Sequence, residues 1–109
     1  MRVPELITVL QPEIARIIGD KYVHISEFII AKVQGKIRGN QGHPEITSEI
    51  FLDIPSTLST PHTIYIDDRI PNKIKYLFIH IAPHYQVVVE VRRVETGKTE
   101  VNSIIPLGT

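Results

Sequence analysis

The residues best suited to chemistry near neutral pH are the five histidines and a lysine-rich segment in the first half of the chain. His43 stands in Gly42-His43-Pro44-Glu45-Ile46, between a glycine-containing loop and an expected helix start. There it could serve as a general acid or base, with a helix N-terminus beside it to hold a phosphate. The plainer alternative is an exposed histidine, or a cap, ahead of a proline. Lys32 and Lys36, with Arg38, could neutralise a phosphate or a developing oxyanion. Lysines four apart also make an ordinary solvated helix face. His80 and His84 are four apart too, but the intervening Ile81-Ala82-Pro83 is not helical. The helical His-x-x-x-His metal pair is therefore not expected, and a hydrolase using His80, His84 and Asp67 ranks last among the readings. Arg92 and Arg93 fall on opposite faces of a strand, so only one can face a site. Ser103 has no neighbouring histidine or aspartate, and alternation puts it in a core-facing row with Val101 and Ile105 unless a bulge intervenes. Asp67-Asp68 reads as a charged strand end before a turn, and His24 and His62 as turn or surface residues. Walker and dinucleotide-type glycine loops are absent from the sequence.

The elements that must position these groups divide the chain in two. Leu6, Ile7, Leu10, Ile14, Ile17 and Ile18 recur at helical spacing after Pro4, predicting a first helix kinked at Pro12 and ended by Gly19-Asp20. Tyr22 to Ile25 is a short extended piece. Ser26 caps a second predicted helix with the stripe Ile29, Ile30, Val33 and Ile37, stopped by Gly39-Asn40-Gln41-Gly42. His43-Pro44 opens a third, with Ile46, Ile50, Phe51 and Ile54 on its apolar face and Pro55 bending or ending it. After Ser59-Thr60-Pro61 the pattern turns to strands over residues 63–67, 73–82, 84–95 and 98–107. Tyr85, Val87, Val89 and Val91 form one apolar row, and Thr96-Gly97-Lys98 is a tight hairpin loop. Helices first and strands second predict an α+β fold, with N-terminal helices packed on a four-stranded antiparallel β-sheet meander.

A length of 109 residues with 42% hydrophobic residues suits a single domain over 1–109 and argues against disorder. Twelve basic and twelve acidic residues balance, so any basic surface is local. Cysteine is absent, which removes disulfides and thiol chemistry. With no long apolar run and no signal-peptide pattern, the expected location is the cytoplasm, with no membrane partner.

Several short motifs together carry a resemblance. Tyr22-Val23-His24-Ile25-Ser26 leads into a helix ending in basic residues, followed by Gly42-His43-Pro44-Glu45-Ile46. The run from Ile50 to Pro61 precedes the first strand, and then come Tyr65-Ile66-Asp67, Val87-Val88-Val89-Glu90-Val91, the Gly97 hairpin and Val101-Asn102-Ser103-Ile104. Over roughly residues 20–107 the chain resembles the phage-associated branch of the barnase–EndoU–colicin–RelE-type ribonuclease superfamily. The resemblance implies metal-independent endoribonuclease activity in a toxin or phage-conflict setting, by attack of the ribose 2′-hydroxyl on the adjacent phosphate, with no cofactor needed. By this similarity His43 is the base or acid, Lys32 the oxyanion stabiliser and Ser103 a phosphate contact. Arg92 and Tyr85 are further catalytic candidates, with Lys36 and Arg38 binding RNA. An immunity or antitoxin protein is a candidate partner in such a setting. A homodimer is a candidate assembly because small sheets with exposed edges pair. The rival reading is a non-catalytic binding or assembly module of a phage or mobile element.

Overall fold

A computed structural model describes residues 5–26, 29, 45–94 and 97–107. Six strands form one mixed sheet: β1 (Glu5–Val9), β2 (Tyr22–Ser26), β3 (Thr63–Asp67), β4 (Lys75–Ile81), β5 (Gln86–Arg93) and β6 (Thr99–Leu107). Their order across the sheet is β1-β2-β6-β5-β4-β3. Neighbours are antiparallel except β2 and β6, which run parallel with His24 opposite Glu100. Among the described residues there are three short helices: α1 (Pro12–Ile18), α2 (Ser48–Leu52) and α3 (Ile54–Ser59).

This corrects the expected four-stranded antiparallel sheet behind N-terminal helices. The meander β3-β4-β5-β6 is extended by β2 and β1, and the β2–β6 junction makes the sheet mixed. The predicted first helix is half strand. Residues 5–9 pair with 22–26, and only the segment from Pro12 is helical. Pro12 starts α1 because proline lacks the N–H that a first helical turn leaves unsatisfied anyway. Gly19 ends it in the left-handed conformation (φ 83°), donating its N–H to the Ala15 carbonyl. The predicted third helix is two pieces. Thr47 caps α2 by accepting the Ile50 N–H, and Pro55 sits in the first turn of α3. The second predicted helix, with Lys32, Lys36 and Arg38, lies outside the described residues apart from Ile29, and so does His43.

Alternation divides the sheet into two faces. On the inner face Val23, Ile25, Phe78, Val87, Val89, Val91, Val101 and Ile104 are buried, with Ile50 of α2 and Ile54 and Leu58 of α3 in the same core. Burying each such side chain stabilises by about 1.5–3 kcal/mol, so this face commits the sheet to its register. Opposite Glu90 and Val91 the β6 partners are Ser103 and Val101, which leaves Asn102 as the extra residue of a bulge. That bulge lets Val101 and Ile104 both point inward. Ser103 therefore turns to the outer face, not into the core-facing row that unbroken alternation predicts. Two ties fasten the loop between α1 and β2 to β6 and β5. Asp20 accepts the Thr99 hydroxyl at 2.8 Å, and Arg93 donates to the Gly19 carbonyl at 2.9 Å. Among the described residues no helix is long and apolar enough to cross a membrane.

Candidate active site on the outer sheet face

The outer face carries the polar residues of alternate strand positions. One row runs Asp67, Lys75, Arg92, Glu100 and His24 across β3, β4, β5, β6 and β2. The next runs Tyr65, Leu77, Glu90 and Ser103. Adjacent strands lie about 4.8 Å apart, so the central groups of both rows fall within one small patch.

Glu90 anchors that patch. It is buried, with 8% of its surface exposed. One carboxylate oxygen takes a hydrogen bond from the Asn102 carboxamide at 2.6 Å, and the other an ion pair from the Lys75 ammonium at 3.2 Å. Burial alone would raise the pKa of Glu90. The hydrogen bonds from Asn102 and Lys75, the Lys75 charge and the Ser103 hydroxyl more than offset it, holding the carboxyl below its ordinary value. Glu90 is thus a charged, fully engaged group that fixes where Lys75, Asn102 and Ser103 sit. Such a carboxylate orients its neighbours better than it takes up a proton.

Arg92 is half-buried between Lys75 and Glu100, and among the described residues nothing pairs with its guanidinium. A planar fork of donors in that position suits a phosphate. His24 stands at the end of the same row, beside Glu100 and two strands from Arg92, roughly 10 Å away through the backbone. Histidine is the side chain whose ordinary pKa suits proton transfer near neutrality. The arrangement can therefore hold a phosphate on Arg92 and Lys75 and exchange a proton with His24 at its flank, with Ser103 helping to hold Glu90.

Of the sequence-predicted residues, Arg92 and Ser103 are brought together here. Tyr85 is not. It precedes β5 at the opposite end of the sheet and packs against the core, and its hydroxyl bonds to the Asp53 carboxylate between α2 and α3. Burial, with the Asp53 hydrogen bond and charge and the Glu49 charge, pushes the Tyr85 phenol well above its ordinary value. The His80 ring lies tilted beside it with ring centroids 5.8 Å apart, and His62 lies 5.7 Å from His80. His84 is exposed in the β4–β5 turn. Among the described residues no group of three or more metal-ligating side chains converges. Asp67 is held by Arg69, whose guanidinium bonds both carboxylate oxygens at 2.9 and 2.8 Å and keeps the pKa at about 2. It caps the turn after β3. His43, Lys32, Lys36 and Arg38 lie outside the described residues.

Sequence reasoning passed over His24, Lys75 and Glu90. A signal for His24 was present: a polar residue between Val23 and Ile25, both buried, marks the far face of a half-buried strand. Glu90 and Lys75 carried no comparable signal, since their meeting depends on the β4–β5 register. Comparison with family models, with curated proteins and with solved structures found no match for this chain.

Proposed function

We propose that this chain is a metal-independent endoribonuclease-like domain whose site is the polar half of the outer sheet face. The observation that carries the reading is the half-buried Arg92 guanidinium, uncommitted among the described residues, in one row with His24 and beside the anchored Lys75–Glu90–Asn102 network. Transphosphorylation of RNA needs three things: a group to take the 2′-hydroxyl proton, positive charge on the phosphate oxygens, and a group to protonate the leaving 5′-oxygen. Arg92 and Lys75 supply the charge. His24 supplies one proton-transfer group, and His43, by the sequence resemblance, the other. The Ser103 hydroxyl donates a hydrogen bond to Glu90, and Glu90 positions Lys75. The toxin or phage-conflict setting and the immunity partner belong to the same proposal.

The test is cleavage of diverse RNAs by purified protein with chelator present, beside Arg92→Ala, His24→Gln and His43→Ala. Arg92→Ala is expected to lower the rate by about 10²–10³, and His24→Gln by about 10²–10⁴. Cleavage that survives both changes would remove the site from this face, and no cleavage of any RNA would remove the activity.

A second reading, a non-catalytic assembly module, is favoured by the other half of the same face. There Ile79 and Val88 adjoin Ile81, Ile105 and Leu107, the last three exposed by 49%, 45% and 39%. A protein lacking RNA cleavage but self-associating through these residues would support it. Ile105→Lys should then abolish the association.

A further inference from the structure

We infer that the outer face takes single-stranded RNA, with Tyr65 as the platform on which a base beside the scissile phosphate stacks. This rests on the ribonuclease reading and goes beyond it, to the form of the substrate and the residue that selects it.

Tyr65 lies on β3, an edge strand, in the row Tyr65, Leu77, Glu90 and Ser103. It is 58% exposed on the outer face. It stands two strands from Glu90, roughly 10 Å through the backbone, while Lys75 and Arg92 occupy the adjacent row. Its position is that of a ring flanking a phosphate-binding patch. The opposite flank repeats the arrangement. Tyr22 of β2 is 44% exposed, one outward position along the strand from His24, and the Lys21 ammonium lies 5.7 Å from its ring centroid. Between β3 and β2 lie four strand spacings, about 19 Å, a track for only a few nucleotides. An open sheet with aromatic rings at its flanks, and with Lys75 and Arg92 beside the carboxylates Glu90 and Glu100 between them, fits unpaired bases whose phosphates sit on Arg92 and Lys75. A duplex keeps its base faces inside its own stack, so it cannot use Tyr65.

The test separates binding from cleavage. A mixed-sequence 2′-O-methyl RNA oligonucleotide cannot undergo 2′-hydroxyl attack, so it reports binding alone. Its affinity is measured by anisotropy, single-stranded and as a duplex, for the parent, Tyr65→Ala and Tyr65→Phe. The chain has no tryptophan and four tyrosines, so quenching of tyrosine fluorescence reports stacking directly. The single strand is expected to bind at least tenfold tighter than the duplex. Tyr65→Ala should weaken it about tenfold and remove part of the quenching, and Tyr65→Phe should keep the affinity. On cleavable RNA, Tyr65→Ala should raise KM and leave kcat nearly unchanged.

Equal affinity for duplex and single strand would overturn the inference, as would unchanged binding by Tyr65→Ala. So would a Tyr65→Ala effect confined to self-association in sedimentation. Tight, Tyr65-dependent binding with no cleavage of the all-ribose strand would sustain the stacking platform and refute the ribonuclease reading instead. Cleavage indifferent to Tyr65 would do the reverse.

Discussion

Replacing Glu90 by alanine removes the carboxylate on which the Lys75 ammonium and the Asn102 carboxamide both converge. The Asn102 bond is short and charge-assisted, a class that contributes about 1.5–3 kcal/mol. Lys75 is 37% exposed, so solvent screens its ion pair to at most about 1 kcal/mol. Together the loss is about 2–4 kcal/mol, or roughly 10–20 °C in Tm for a domain of this size. Glu90→Gln keeps the shape and a neutral hydrogen bond from Asn102, so it should cost about half as much. The cost should also depend on pH. The pKa of Glu90 is depressed in the folded state from the ordinary 4.5. Its stabilisation is therefore fully present above about pH 4.5 and is lost as the pH falls through the folded value. Urea melts of the parent and Glu90→Gln at pH 7 and at pH 3 make the comparison. The gap seen at pH 7 should narrow at pH 3. An equal gap at both pH values would show that shape, not charge, sets the effect. No gap at pH 7 would show that the network adds nothing to stability.

Tyr85→Phe removes the hydroxyl bonded to Asp53 and should cost about 1 kcal/mol in urea melts with RNA cleavage unchanged, because Tyr85 lies away from the outer face. The raised Tyr85 pKa means that this stabilisation holds below about pH 10 and fades as the pH rises above it, which spectrophotometric phenol titration of the parent would check. Asp20→Ala strips the buried Thr99 hydroxyl of its acceptor and should cost about 1–3 kcal/mol at pH 7. Burial opposes ionisation of Asp20, but the Tyr22, Thr99 and Lys21 hydrogen bonds and the Arg93 charge hold its pKa below 3.8, so the cost should shrink as the pH drops beneath that value. Gly97→Ala meets no atom within 4 Å but must adopt φ +89°, so it should cost about 1–2 kcal/mol by thermal melt through backbone strain alone.

Strand β5 was legible because one rule governs it: Val87, Val89 and Val91 alternate, and all three are buried. Strand β1 was not. Its five residues flow into α1 with apolar spacing that fits a helix, and only pairing with β2 makes Glu5–Val9 extended. Local periodicity cannot express a partner across the intervening helix. The same limit hid the parallel contact of His24 with Glu100, at opposite ends of the chain. The bulge was half legible. Ile104-Ile105 is an apolar doublet that breaks a period of two, and a one-residue phase change at Asn102 is the arrangement that buries both Val101 and Ile104.

That phase change is also what builds the candidate site. A regular β6 through Asn102 would turn Ser103 into the core, opposite Val89, and set Asn102 itself level with Glu90. With the extra residue absorbed, Ser103 comes level with Glu90, and the Asn102 carboxamide reaches the Glu90 carboxylate. Packing on one face of the sheet thereby fixes the polar chemistry of the other. The valines that bury β5 set Glu90 and Arg92 outward, and the Val101 and Ile104 side chains that bury β6 force the bulge that brings Ser103 to meet them. Tyr85 fails to join because the same alternation sends it, with Val87, to the core side. The alternation rule had already separated Tyr85 from Arg92, and only the resemblance grouped them. A change that relaxes the inner face, such as Ile104→Ala, should therefore weaken the outer site as well as the core, by loosening the register that holds Ser103 and Asn102 against Glu90.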